Sequence, residues 1–216
     1  MAPVRVLIVD DHGLVRQTLK ERLMREPDLA VVGCAGDRAG ASALLRASRP
    51  DVALLDLHLD GADGLDVLRA ARREELTTRF IVVSAFSYDR YIEAALALDA
   101  RGYITKNEPA AVLIDAIHDV AAGGKFFSQA VRARLVPAPS RRREAVWQTR
   151  SATLTQRQRD VLMHIARGLS KSEVAQLLGL SRKTVETHCE MMMRRLVVRD
   201  RVELARFAIR EGLVEA

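Results

Sequence analysis

The stretch VALLDLHLDGADGLDVL, residues Val52–Leu68, joins three kinds of sequence. An unbroken apolar run from Val52 ends on an acid, Asp56. A polar, Gly-punctuated segment follows, and then Leu65, Leu68 and Ala71 appear at helical spacing. A short continuous apolar run fits a strand buried on both faces, and such strands belong to parallel sheets covered by helices. A carboxylate at the end of that strand is costly unless something pairs with it or uses it.

The same change of period recurs on both sides. VRVLIV (Val4–Val9), AVVGC (Ala30–Cys34), FIVV (Phe80–Val83) and GYI (Gly102–Ile104) are β-rich runs like VALL. Leu14, Leu19 and Leu23 mark one intervening helix, and Val112, Ala116 and Val120 mark the last. Five strands alternating with helices predict an α/β fold over residues 1–125, a doubly wound parallel sheet. Residues 126–153 read as a linker. They hold two prolines and an RRR run at 141–143, with a short helix expected before Pro137. RRR reads as solvated linker, with contact to phosphates as the sharper alternative.

From Leu154 to the end, residues 154–216, the spacing predicts an all-α domain of four helices. Thr155 with Gln158 and Ser170 with Glu173 fit capping boxes, while Gly168 and Gly179 mark helix ends. Ser181 caps a third helix toward Leu196, and a fourth runs from about Asp200 to Gly212. Two short helices joined by the tight turn LLGLS fit a helix-turn-helix.

Charge divides the chain in the same way. Residues 1–130 carry 16 Lys/Arg and 19 Asp/Glu, a net −3, and residues 131–216 carry 18 and 9, a net +9. A basic second half points to a polyanion partner. Cys34 and Cys189 are far apart and outside any CxxC pair, so neither a disulfide nor a zinc site is expected. No apolar run reaches the roughly 18 to 20 residues that cross a bilayer, and MAPVRVLIVDD lacks the features of a signal peptide. The expectation is a cytoplasmic protein with no membrane partner.

In a parallel α/β sheet, function gathers at the carboxyl ends of the strands. There the first strand leaves Asp10 and Asp11, the third Asp56, the fourth Ser84, and the fifth Lys106 after Thr105. Three convergent carboxylates call for a cation, and hard oxygen ligands suit Mg²⁺. An Asp can act as a nucleophile toward phosphorus, with Lys106 and Ser84 placed to meet the phosphoryl oxygens.

The pieces LIVDD, LLDLHLDGADGLDVL, VVSA and ARGYITK resemble the receiver domain of response regulators. The resemblance implies a flavodoxin-like strand order, 2-1-3-4-5. It implies that Asp56 accepts phosphate from a sensor histidine kinase. It implies that Asp10, Asp11 and Asp56, with the backbone carbonyl of His58, hold Mg²⁺. Ser84 and Lys106 would sense the phosphoryl group, and Tyr103 matches the aromatic switch that turns inward on activation. The His58 side chain has no assigned chemistry, and Asp63 is expected to stabilise the loop. Asp60 departs from the family, which commonly has Pro there; it loosens the loop and adds a charge. Asn107 is a minor departure.

The pieces LTQRQRDVL, IARGLSKSEVAQLLGLSRKTVETH, RRL and DRVELARFAIREGLV resemble a LuxR-type helix-turn-helix, so the whole chain resembles a NarL/FixJ-type response regulator. Val185, Cys189, Met192 and Leu196 form one apolar face of the third helix. Its other side is the candidate DNA reader, with Thr184, Glu186, Thr187, Glu190, Met191 and Arg194. Lys171, Arg182, Lys183, Arg194, Arg195 and Arg199 are the candidate phosphate contacts. Thr187 is the best candidate for a base contact. Glu186 is expected to pair with Arg182 and Glu190 with Arg194, or a glutamate reads cytosine N4. Gln158 stands where the family has Glu, and Val197 where Gly often ends the helix, so that helix is expected to end differently.

The leading function is therefore a two-component response regulator. Phosphorylation at Asp56 controls its binding to promoter DNA, with homodimers forming on activation. The alternative is a phosphorylation-independent DNA-binding regulator whose receiver serves as a dimerisation or ligand module. A Mg²⁺-dependent phosphohydrolase is a third class. It needs a second acid two residues after the nucleophile, where this chain has His58, so no enzyme is expected.

Overall fold

The computed structural model describes residues 2–59, 61–138 and 146–214. Asp60 and the RRR run thus lie outside the described residues. The chain divides into two compact units, Met1–Ser87 with Ala94–Ala133, and Tyr88–Glu93 with Arg134–Ala216.

In chain order the elements begin β1 (Val4–Val9), α1 (Gly13–Leu23), β2 (Leu29–Ala35), α2 (Arg38–Ser48) and β3 (Val52–Leu55). A small antiparallel pair, β4 (His58–Leu59) and β5 (Ala62–Asp63), follows. Next come α3 (Leu65–Arg73), β6 (Arg79–Ser84), α4 (Asp89–Ala97), β7 (Gly102–Thr105), α5 (Ala110–Ala121), β8 (Phe126–Phe127) and α6 (Gln129–Arg132). The main sheet is parallel, in the order β2-β1-β3-β6-β7-β8. The five expected strands stand in the expected order. The sixth, β8, is a correction to the five-stranded reading. It has two residues, too few to show a period, and it pairs on the open edge of β7.

Side chains alternate between the faces of this sheet. Val6, Ile8, Leu54, Ile81 and Ile104 pack with Leu23, Ala116, Ile117 and Val120. Their neighbours Leu7, Val9, Ala53, Leu55 and Val82 are also buried, which is why these strands read as continuous apolar runs. Burying each of these Val, Leu and Ile side chains is worth about 1.5–3 kcal/mol. One helix reading is corrected: Leu14 is exposed, and Leu19 and Leu23 carry the inward face of α1.

The second unit contains more than the four expected helices. A two-stranded antiparallel ribbon, β9 (Leu135–Pro137) and β10 (Trp147–Thr149), and a 3₁₀ turn at Ser151–Thr153 precede them, so the segment read as linker is partly structured. The helices are α7 (Gln156–Ala166), α8 (Lys171–Leu178), α9 (Arg182–Leu196) and α10 (Arg201–Arg210). Thr155–Gln158 and Ser170–Glu173 form the two capping boxes. Ser181 and Asp200 cap the other two helices. Gly179, at φ 63°, ends α8 in the left-handed conformation that glycine adopts without strain. Val161, Val174, Val185, Met192, Leu204 and Phe207 anchor the core.

Val197 corrects an expectation. It ends α9 at φ 57°, in the left-handed conformation a glycine would take, and the Val198 N–H closes the helix on the Met193 carbonyl at 3.0 Å. The helix end is the ordinary one, reached with an unfavourable residue. Also within this unit, the Arg134 guanidinium lies between the buried carboxylates of Asp89 (2.5 Å) and Glu211. Burial, then the neighbouring Asp89, pushes the Glu211 carboxyl above the usual range. Cys34 and Cys189 are free thiols, both pushed up first by burial.

Candidate functional site

The carboxyl ends of β1, β3, β6 and β7 meet at one edge of the sheet. Parallel pairing in register fixes this: Val9 aligns with Leu55, and Ser84 with Thr105. The residues that follow these pairs are therefore neighbours. The Asp56 N–H donates to the Val9 carbonyl at 2.8 Å, and the Lys106 N–H to the Ser84 carbonyl at 2.8 Å.

Lys106 Nζ sits 2.6 Å from Asp56 Oδ2 and 2.7 Å from Asp10 Oδ2. Both carboxylate side chains are only 4% exposed, so one ammonium serves two nearly dry carboxylates. Burial works against the Lys106 charge, but its bonds to Asp10 and Asp56 outweigh this and its pKa is raised. Asp11 adds a third carboxylate. Asp10, Asp11, His12 and Asp56 each place a ligand atom within 4.8 Å of the others. Two or three negative charges against one positive charge leave a deficit, which is severe where water is scarce. Clustered oxygen donors of this kind fit a divalent cation.

The remaining expected residues surround this cluster. The His58 N–H reaches Asp56 Oδ1 at 3.3 Å, while its exposed ring meets the Phe86 ring edge-on at 5.7 Å. Ser84 is fully buried, and its Oγ accepts from the Phe86 N–H at 3.1 Å. The Tyr103 ring is inward, 1% exposed, with its hydroxyl donating to the Phe86 carbonyl at 2.7 Å. Asp63 accepts from the Leu65 N–H at 3.0 Å and pairs with Arg69 at 3.2 Å, so it holds the loop onto α3. Gly64 lies so close beneath Asp56 that a Cβ there would stand 2.0 Å from the Asp56 carbonyl oxygen.

His12 was not anticipated by the sequence reading. Its Nδ1 lies 2.5 Å from Asp11 Oδ1 and 3.3 Å from Asp10 Oδ1. The one signal available was its place immediately after the acid pair.

In the second unit, α9 turns Val185, Cys189, Met192 and Leu196 into the core and leaves Arg182, Lys183, Thr187, Glu190, Met191 and Arg194 exposed. Thr184 is half-buried and bonds Ser181 at the start of the helix. Glu186 pairs with Lys171 at 2.9 Å and with Lys183 at 3.8 Å, instead of the expected Arg182, because Lys171 at the start of α8 reaches it. The bond to Lys171 leads in holding its carboxyl below the usual range. Among the described residues no ion pair joins Glu190 to Arg194. Arg195 faces its own domain, donating to the Thr153 carbonyl at 2.9 Å and to Gln158 Oε1 at 3.1 Å. The buried Gln158 therefore keeps a tie between α7 and α9 through a neutral oxygen. Arg199 is exposed, and its N–H donates to Glu203 at 2.7 Å.

Known proteins share both halves of this arrangement. Residues 6–118 match the response regulator receiver domain, and residues 152–208 match the bacterial regulatory proteins of the luxR family. The nitrate/nitrite response regulator protein NarP of Escherichia coli is 38% identical over 202 residues, covering 93% of this chain and 92% of NarP. The corresponding NarL protein is 33% identical, covering 94% of each chain. The signal receiver domain of NarL from Mycobacterium tuberculosis superposes with a TM-score of 0.55 at 37% identity, covering 57% of this chain and 99% of that one. The response regulator RcsB, in its complex with DNA, gives 0.68 over 95% of this chain and 97% of RcsB, and at 23% identity it speaks for the fold alone. With the acid cluster, its lysine and the capped helix-turn-helix in one chain, this protein belongs to the two-component response regulators that join a receiver domain to a LuxR-type DNA-binding domain.

Proposed function

We propose that Asp56 is the phosphoacceptor and that its phosphorylation controls sequence-specific binding of α9 to promoter DNA. The donor would be the phosphohistidine of a sensor kinase. An Asp56 oxygen attacks phosphorus, the P–N bond breaks, and the imidazole leaves. Lys106 carries the reading: its ammonium already bridges Asp56 and Asp10, where it would meet the incoming negative charge. Asp10, Asp11 and Asp56, with the His58 carbonyl, would hold Mg²⁺, which would offset carboxylate repulsion and bind a phosphoryl oxygen. Ser84 Oγ, now an acceptor from Phe86, would turn to donate to the phosphoryl group. Tyr103 and Phe86 would follow, since they are joined by a hydrogen bond.

On the DNA side, Arg182, Lys183, Arg194 and Arg199 would neutralise phosphates, and Thr187 would meet a base. Lys171 and Arg195, being engaged within the domain, would do so only by exchanging partners. Homodimers on adjacent half-sites follow from the small footprint of one such module. The chain acts as a regulator, not as a phosphohydrolase, because His58 stands where a hydrolase needs its second acid.

The test measures DNA affinity and solution mass of the full chain with and without beryllofluoride, on duplexes selected from a random library. Wild type should bind more tightly and gain mass with the mimic, and Asp56→Asn should respond to neither. Equal responses from the two proteins would remove Asp56 from the switch and favour a receiver that acts without phosphorylation.

A further inference from the structure

We propose that His12 is a nitrogen ligand of the acid pocket, and that it shifts the pocket's preference from Mg²⁺ toward a divalent transition ion such as Co²⁺ or Zn²⁺. The inference rests on the metal-binding reading of Asp10, Asp11 and Asp56.

The backbone sets the position of the ring. His12 is the residue before α1, at φ −80° and ψ 106°, and its N–H donates to Asp10 Oδ1 at 2.8 Å. With the main chain tied there, the ring folds back over the acids. Two ligands side by side on an ion about 2.0–2.2 Å away stand roughly 2.8–3.6 Å apart, the shorter values at octahedral and the longer at tetrahedral angles. The 3.3 Å between His12 Nδ1 and Asp10 Oδ1 lies in that range. The 2.5 Å to Asp11 Oδ1 is closer than two ligands of one ion can stand. Sharing an ion with Asp11 requires the ring to move out by roughly half an ångström, and a side chain 64% exposed is free to do so.

The donor set then decides the ion. Mg²⁺ takes oxygen ligands and keeps several waters, so the carboxylates suffice for it and the ring adds little. Imidazole suits Co²⁺, Ni²⁺ and Zn²⁺, which a mixed nitrogen and oxygen site binds more tightly. The competing role for His12 is to orient Asp11 by hydrogen bonding alone. That role acts through a carboxylate common to every ion, so its loss would weaken Mg²⁺ and Co²⁺ together. A ligand discriminates between them.

The test titrates the full chain with MgCl₂ or CoCl₂ alone, by calorimetry and by the visible absorption of bound Co²⁺. Wild type, His12→Ala, His12→Asn and Asp10→Asn are compared. Loss of the ring in either His12 variant should weaken Co²⁺ about ten-fold or more and alter its absorption bands, with Mg²⁺ affinity changed by less than about two-fold. Asp10→Asn should weaken both ions. An unaltered Co²⁺ affinity and spectrum in His12→Ala would overturn the proposal. So would equal weakening of the two ions, or Co²⁺ binding that ignores Asp10→Asn. If wild type binds neither ion, the metal-binding reading itself fails.

Discussion

Gly64 shows how closely the backbone is drawn around Asp56. A Cβ at this position would stand 2.0 Å from the Asp56 carbonyl oxygen and 3.0 Å from Leu57 Cα, and neither atom belongs to a side chain that can rotate away. The Gly64 N–H also donates to the Leu57 carbonyl at 2.7 Å. Gly64→Ala should therefore cost about 1–3 kcal/mol, the usual penalty for overpacking, and should displace Asp56. Urea unfolding and the beryllofluoride response check this together; a variant with wild-type stability and response would show that the backbone yields there. Most of the candidate site was legible residue by residue, because Asp10, Asp56, Ser84 and Lys106 each stand at or just past the end of a strand that is easy to place. His12 was not, since spacing along a loop does not say which way a side chain points.

Helix α9 carries a strained residue at its C-terminal end. Val197 is β-branched, 69% exposed and held at φ 57°, so it pays for a left-handed conformation with almost no packing in return. Val197→Gly keeps the closing bond from Val198 to Met193 and should stabilise the second unit by about 1 kcal/mol. Thermal or urea unfolding measures it, and a neutral or destabilising result would mean that the exposed side chain packs better than its surface suggests. The long elements were legible because the change from period 2 to period 3.6 persists over many residues, and capping residues marked their ends. The short ones, β8 and the β9–β10 ribbon, have two or three residues each and show no period. Leu14 has helical spacing but faces water, since a stretch of 11 helical residues offers more than one apolar line to follow.

Across the whole molecule, charge is divided by role, with −3 over residues 1–130 and +9 over residues 131–216. The acidic half carries the acid cluster proposed to meet a cation and a phosphoryl group, and the basic half the surface proposed to meet a polyanion. If α9 lies on DNA, affinity should fall steeply with salt, with a log–log slope of about −0.9 for each phosphate neutralised. Two basic residues of α9 should then behave differently. The Lys183 side chain is 81% exposed, and among the described residues its ammonium has no ion pair closer than the 3.8 Å contact to Glu186. Lys183→Ala should reduce the slope by about one and weaken binding by a similar factor on every duplex, because a phosphate contact carries no sequence information. Arg195 is committed to the Thr153 carbonyl and to Gln158. Arg195→Ala should leave the slope nearly unchanged and lower the stability of the second unit, since it leaves the buried Gln158 oxygen with one donor fewer. Binding titrations between roughly 50 and 200 mM salt, paired with unfolding curves, separate the two. A drop of one in slope for Arg195→Ala would place that guanidinium on the DNA and require α9 to exchange an internal tie for a phosphate contact.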